Sequence, residues 1–326
     1  MENKRYQTTI NKLLPEVKQQ HQVWRYYLNA WSFEDEKVFC LDKTVKNIFT
    51  PSTNNIAKEN YAYEQPRFFD DEIAFFLAHI ASIHNDSIRE ASLEDISIVL
   101  FPASLERLTS KFNTRVFDND LEYARKNLLE RWHGTWEKAC KPIIDKLRAG
   151  TELKDLPLSN ERYLFNFFLS DQCMRTSRIR CIIDSQKGKN DLKKVIGPDG
   201  KEYKIRSSSF QYFLSYHLVT VFAQMLTYEK YRYHILTTDC SSSSFLTSDQ
   251  PAFFVQKDSN GDTSLYYPLS PTKCLRMDQD GDDSFEIADE SIVSFINSET
   301  IKAANRFLIS NGKGNLEIIL GSLPTN

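Results

Sequence analysis

The stretch FLTSDQPAFFVQK, residues 245–257, decides the fold class. From about residue 208 to 229 apolar side chains recur at helical spacing, whereas within this stretch and around it the strand period takes over. The runs YRYHILTTD (231–239), SLYYPLS (264–270), KCLRMDQ (273–279) and SFEIAD (284–289) read as further strands. DSNGD (258–262) and DQDGDD (278–283) supply the turn chemistry between them. The pattern predicts an antiparallel sheet, closed by a helix near 290–309 and followed by an edge strand in LEIIL (316–320).

Working toward the N-terminus, DLKKVIGPDGKEYKIR (191–206) sets Pro198, Asp199 and Gly200 between two extended arms and reads as a protruding hairpin. Residues 70–190 have helical spacing. Ile73, Phe76, Leu77 and Ile80 mark a first helix, and further helices are expected over 102–112, 118–149 and 159–184. Residues 1–69 carry KVFCLD (37–42) and KNIFTP (46–51) as a short hairpin. The fold class is therefore α+β, a single domain over 1–326. Its antiparallel sheet is formed mainly by the C-terminal strands of 207–326 and joined by N-terminal strands, with a helical region inserted between them.

Of the 326 residues 41% are apolar and the formal net charge is −3, enough for a sizeable core and too little positive charge for nonspecific DNA binding. The N-terminal segment is too polar for a signal peptide, and no apolar run has the length of a membrane span. A cytoplasmic protein with no membrane partner is the expectation. The six cysteines are scattered without a C-x-x-C pair, so reduced thiols are expected and no metal site. DSNGD and DQDGDD lack the glycine position of a calcium loop. No Gly-rich phosphate loop or other cofactor motif occurs, and the cofactor is left unassigned.

Polar residues interrupt the apolar stripes at specific places. At 100° per residue, Gln172 and Arg175 fall in the middle of a stripe formed by Leu164, Phe168, Ile179 and Ile182. A guanidinium there stays charged and needs a partner. Asp249, aimed by the irregularity that Pro251 brings to its strand, is the expected carboxylate. His217 and Gln224 lie among apolar residues of the next helix, where a core histidine is the expectation.

These pieces together resemble the bacterial family catalogued as domain of unknown function 4238. The resemblance rests on QHQVWRYYLNAW with Gln20, His21, Tyr27 and Leu28; QCMRTSR with Gln172, Arg175 and Thr176; FLTSDQP with Ser248, Asp249 and Pro251; YPLSP at 267–271; and Asn297 in the final helix. Trp24 and Trp31 stand where the family pattern has proline and phenylalanine. The family carries no established reaction, and the resemblance implies a place in anti-phage defence because some relatives are associated with it.

His21, Arg175 and Asp249 are the catalytic candidates, with Gln172, Arg178, Ser248 and Asn297 to bind substrate. Such a donor-rich set suits phosphate oxygens. A histidine for proton transfer, an arginine against developing charge and an aspartate to orient the histidine suffice for phosphodiester cleavage. The expected partner is RNA or a nucleotide, with a phage component as trigger. Arg178, Arg180, Lys187, Lys189, Lys193 and Lys194 offer a basic surface near the hairpin. The competing expectation is a non-catalytic sensor in which the same polar cluster is a structural network.

Overall fold

The computed structural model describes residues 15–111, 118–150, 159–176, 178–179, 181, 192–228, 231–238, 244–256 and 262–322. Near the N-terminus β1 (Gln19–His21) is followed by α1 (Arg25–Leu28) and by the expected hairpin of β2 (Phe39–Asp42) and β3 (Asn47–Phe49). Strand β4 (Lys58–Asn60) then returns to pair with β1. Gln20 fixes this ribbon from inside. Its amide donates to the Lys126 carbonyl at 2.6 Å and accepts from the Tyr63 N–H at 2.8 Å.

The helical region comprises α2 (Asp70–Ala81), α3 (Asp86–Lys111), α4 (Asp118–Ala149) and α5 (Ser159–Met174). The hairpin of β5 (Leu192–Ile196) and β6 (Glu202–Arg206) follows and runs directly into α6 (Ser207–Tyr228). Alternation along β6 turns Tyr203 and Ile205 onto α2, where both are buried, and leaves Lys204 in solvent. Glu72, fully buried, receives the Arg206 N–H at 3.0 Å and its guanidinium at 2.6 and 2.8 Å. The hairpin is thus docked along α2 by an apolar edge and an ion pair.

Helix α5 is the centre of the molecule. Phe165, Phe167, Phe168 and Leu169 are buried on every side of it, as a helix enclosed by other elements requires. One side meets the five-stranded sheet through Tyr233, Ile235, Leu265 and Tyr267; α4 and α6 cover the rest. Because so little of α5 faces water, each polar side chain in it needs an internal partner.

The C-terminal strands are β7 (Arg232–Thr237), β8 (Thr247–Ser248), β9 (Phe253–Gln256), β10 (Thr263–Ser270), β11 (Lys273–Asp278) and β12 (Ser284–Ile287). They are followed by α7 (Glu290–Ala303), β13 (Phe307–Ser310) and α8 (Lys313–Ser322). The α+β class is borne out, with two sheets in place of one. The first has the order β12-β7-β11-β10-β9, antiparallel except where β12 runs parallel to β7. The second, β3-β2-β13-β8, joins N- and C-terminal strands as the sequence suggested.

Two expectations at the C-terminus are corrected. The closing helix stops at Ala303 instead of 309, because Lys43 Nζ takes the Ile301 and Ala304 carbonyls at 2.8 and 2.9 Å and the chain then enters β13. LEIIL is helical in α8. Leu316, Ile319 and Leu320 recur at three and four residues and pack on Leu41, Leu246 and Leu308. In the turn DQDGDD, Asp278 Oδ1 accepts the Asp280 N–H at 3.1 Å, the Asx geometry the composition implied. The turn DSNGD falls largely outside the described residues.

Candidate functional site

The polar residues of α5 gather at its last turn, where α4 crosses. Asp171 and Gln172 are buried on α5, and Arg175 is buried on the turn that leaves it. From α4, Glu130, His133 and Glu137 face them at a spacing of three and four residues, one side of a helix. His133 Nδ1 lies 2.9 Å from Asp171 Oδ1 and 3.1 Å from Oδ2. Arg175 Nη2 donates to Glu137 Oε1 at 2.5 Å, and Nη1 stands 3.5 Å from Asp171 Oδ2. With its amide turned to satisfy both groups, Gln172 accepts from Arg175 Nε at 2.7 Å.

Burial and charge act against one another here. Arg175 remains charged although desolvation opposes it, because Glu137 and Asp171 favour the cation. Burial pushes the Glu137 carboxyl up, with Arg175 pulling against it. Glu130 is pushed up to about 7 by burial first and by its acidic neighbours, against the pull of Arg175 and of the His21 N–H. His21 is lowered, by burial first, then by Lys58, with Arg175 and Arg25 adding smaller pushes.

A cavity of about 580 Å³ opens beside this centre. Its wall includes Asp171, Met174 and Arg175, the segment 59–67, and Tyr212 and Tyr216 of α6. Tyr63 joins cavity and centre: its ring lies 4.3 Å from His133 and its hydroxyl donates to the His21 carbonyl at 2.9 Å. Arg175 Nη1 is buried without a hydrogen-bond acceptor among the described residues. Among the same residues no group of three or more His, Cys, Asp or Glu side chains is arranged to hold a metal ion.

The sequence candidates divide between two places. Gln172 and Arg175 come together at this centre, with Asp171 and His133 beside them, and His21 reaches it through its backbone, whose carbonyl accepts the Tyr63 hydroxyl. Asp249 lies elsewhere. It receives the backbone N–H groups of Asn305, Arg306 and Phe307 at 2.9, 2.8 and 3.1 Å, where the chain passes from α7 to β13. The expected Arg175–Asp249 pair is thus absent. The two segments do meet one residue along, where the Thr176 hydroxyl donates to the Gln250 side-chain oxygen.

Ser248 and Asn297 share the surroundings of Asp249. Ser248 Oγ bridges the Gln250 N–H and carbonyl at 3.0 and 2.9 Å. Asn297 accepts the Leu246 N–H and donates to the Ser244 carbonyl, both at 2.8 Å, as a strand would. Arg178 is exposed and donates to the Ala303 and Lys302 carbonyls at 3.0 and 3.3 Å, satisfying the end of α7. His217 is a core histidine stacked on Phe213 at 5.5 Å. Arg180, Lys187 and Lys189 lie outside the described residues. Lys193 and Lys194 are exposed on β5, and Lys194 pairs with Glu202.

Across the chain the quoted motif residues mostly join segments. Tyr27 Oη and Thr247 Oγ1 are 2.6 Å apart, and the Tyr27 ring stacks on Tyr267 at 4.8 Å. The family described as "Protein of unknown function (DUF4238)" matches residues 19–314. The chain belongs to that family. No match was found among curated proteins or among solved structures. In this DUF4238 chain no helix among the described residues is long and apolar enough to cross a membrane. The centre also uses Glu130, His133, Glu137 and Asp171, which sequence reasoning passed over. The available signal was the run of acid, imidazole and acid on one side of α4, facing a buried helix.

Proposed function

We propose that the protein is a nuclease-like effector of anti-phage defence that hydrolyses a phosphodiester at the Asp171–Arg175 centre. The observation that carries this reading is the Arg175 Nη1 donor, which makes no hydrogen bond among the described residues although Asp171 Oδ2 stands 3.5 Å away, on a residue that lines the cavity. A phosphate oxygen supplies such an acceptor.

Asp171 takes a proton from the attacking water while the new P–O bond forms. The bond to the leaving oxygen then breaks, and that oxygen takes a proton from solvent, to which Asp171 later returns its own. His133 holds Asp171 in place through Nδ1–H, and Arg175 stabilises the charge gathering on phosphorus-bound oxygen. Arginines 67, 125 and 175 around the cavity are matched by Glu59, Glu64, Glu122 and Asp171. That balance favours a nucleotide or one strand end over a long polyanion.

A sensor reading has its own support, because Glu137, Asp171 and Gln172 already surround Arg175 and such a network fixes a fold without chemistry. RNA ends and nucleotide pools in phage-challenged cells separate the two. New RNA termini or a depleted nucleotide, present with the wild type and lost with stably folded Asp171→Asn, support the effector. Protection against phage with both pools unchanged supports the sensor.

A further inference from the structure

We infer that the cavity beside the Asp171–Arg175 centre is a nucleobase slot in which the Gln65 amide reads the edge of the base. The inference rests on the hydrolytic reading above and names the part of the substrate that the cavity takes.

The first observation is Gln65 itself. It lines the cavity, is 4% exposed, and its Nε2 has no hydrogen-bond acceptor among the described residues. Its position is not adjustable by loop movement alone, because the Gln65 N–H donates to the Arg125 carbonyl at 3.0 Å and so ties the segment to α4. A buried primary amide with an unused donor destabilises the empty protein, a cost that a matched ligand acceptor removes. Primary amides pair with the ring-nitrogen and exocyclic groups of a base, offering a donor and an acceptor side by side.

The second observation is the aromatic wall. Tyr212 and Tyr216 stand one helical turn apart on α6, with ring centroids 5.2 Å apart, and both line the cavity. Tyr61 and Tyr63 come from the opposite segment, and Met174 and Val219 add apolar surface. Aromatic faces of this kind hold a base by stacking, irrespective of the base's identity, and leave discrimination to the polar group at its edge. The volume of about 580 Å³ suits a ligand of nucleoside size. The near-balance of charge around the wall also matches an uncharged base better than a phosphate chain. The base thus occupies the tyrosine end, and its phosphate extends toward Arg175.

The test is calorimetric titration of the full chain with adenosine, guanosine, cytidine and uridine, with ribose 5-phosphate as a probe lacking the base. One or more nucleosides are expected to bind at least tenfold tighter than ribose 5-phosphate. Gln65→Leu should weaken the preferred nucleoside about tenfold and narrow the spread among the four, and Tyr216→Ala should weaken all four. Gln65→Met, which keeps the length of the side chain while removing both donor and acceptor, provides a second variant should Gln65→Leu melt early. Hydrolysis of bis(p-nitrophenyl) phosphate, which has no nucleobase, is followed in parallel. Equal binding of all probes, or wild-type nucleoside binding in folded Gln65 variants, overturns the base slot while any retained phosphodiester hydrolysis leaves the catalytic reading standing. Nucleoside binding without hydrolysis has the reverse meaning.

Discussion

Asp171 and His133 hold one another across the contact of α5 with α4, Oδ1 to Nδ1 at 2.9 Å, both side chains nearly inaccessible to water. Only Asp171 of the pair lines the cavity. His133→Gln should therefore act indirectly, through a misplaced Asp171. Asp171→Asn, nearly isosteric but without a proton-accepting carboxylate, is expected to lower phosphodiester hydrolysis by about 10²–10⁴-fold. Steady-state rates measured beside thermal melts check both. Equal rates in wild type and Asp171→Asn would remove Asp171 from the chemistry.

Arg175→Ala leaves the Glu137 and Asp171 carboxylates facing each other without their cation. A loss of about 3–5 kcal/mol in unfolding free energy is expected. Urea titration of this variant beside Arg175→Lys, which keeps the charge and loses the fork, measures it. Arg175→Lys should fall between wild type and alanine. A loss under about 1 kcal/mol in Arg175→Ala would show that the network contributes little to folding.

Asp249→Ala strips the acceptor from three consecutive backbone N–H groups at the exit of α7. These donors sit on exposed or half-buried residues where water can replace part of what is lost, so of the roughly 1.5–3 kcal/mol that each hydrogen bond to a charged group contributes a total near 3 kcal/mol is expected to go. Hydrolysis per folded molecule should be unchanged, because Asp249 is not part of the cavity. A selective loss of activity with wild-type stability would return Asp249 to the catalytic set.

The pH dependence has opposite signs at two positions. Glu130 titrates near 7 in the fold against 4.5 as its ordinary value, so between those pH values the native state binds more protons than the unfolded chain. Its contribution to stability falls as pH rises through that window, and Glu130→Gln should flatten the slope. His217 is lowered to about 4 from 6.5, by burial first and by His79 second. There the unfolded chain binds more protons, so stability falls as pH drops from 6.5 toward 4, and His217→Gln should reduce the loss. Chemical denaturation at pH 4.5, 6 and 8 resolves both slopes.

How much of this was legible depended on whether a signal was local. The short strand-like runs between turn residues exposed the C-terminal strands from β7 to β12, although only β9 and β12 bury a single face and β7 and β10 are buried on both. The inward direction of Arg175 followed from helical spacing alone. Asp171, four residues earlier, was open to the same spacing argument, whereas Glu137 was not, since finding it requires knowing which helix crosses α5. Asp249 looked available because a buried carboxylate suggests a cation, and three backbone N–H groups from residues 305–307 served instead. LEIIL misled because five residues with four apolar side chains fit either period. Gln65 carried no sequence signal at all: only its burial beside a cavity distinguishes it.

The most direct test of the central claim is hydrolysis of a panel of dinucleotides and short 5′-labelled RNAs by the purified chain, with Asp171→Asn as the matched control. Cleavage that yields a defined product, prefers the shortest substrates and falls at least a hundredfold in folded Asp171→Asn is the result expected. Cleavage equal in both proteins, or none by wild type while nucleosides still bind, would contradict a catalytic centre at Asp171 and Arg175 and leave a nucleotide-sensing protein.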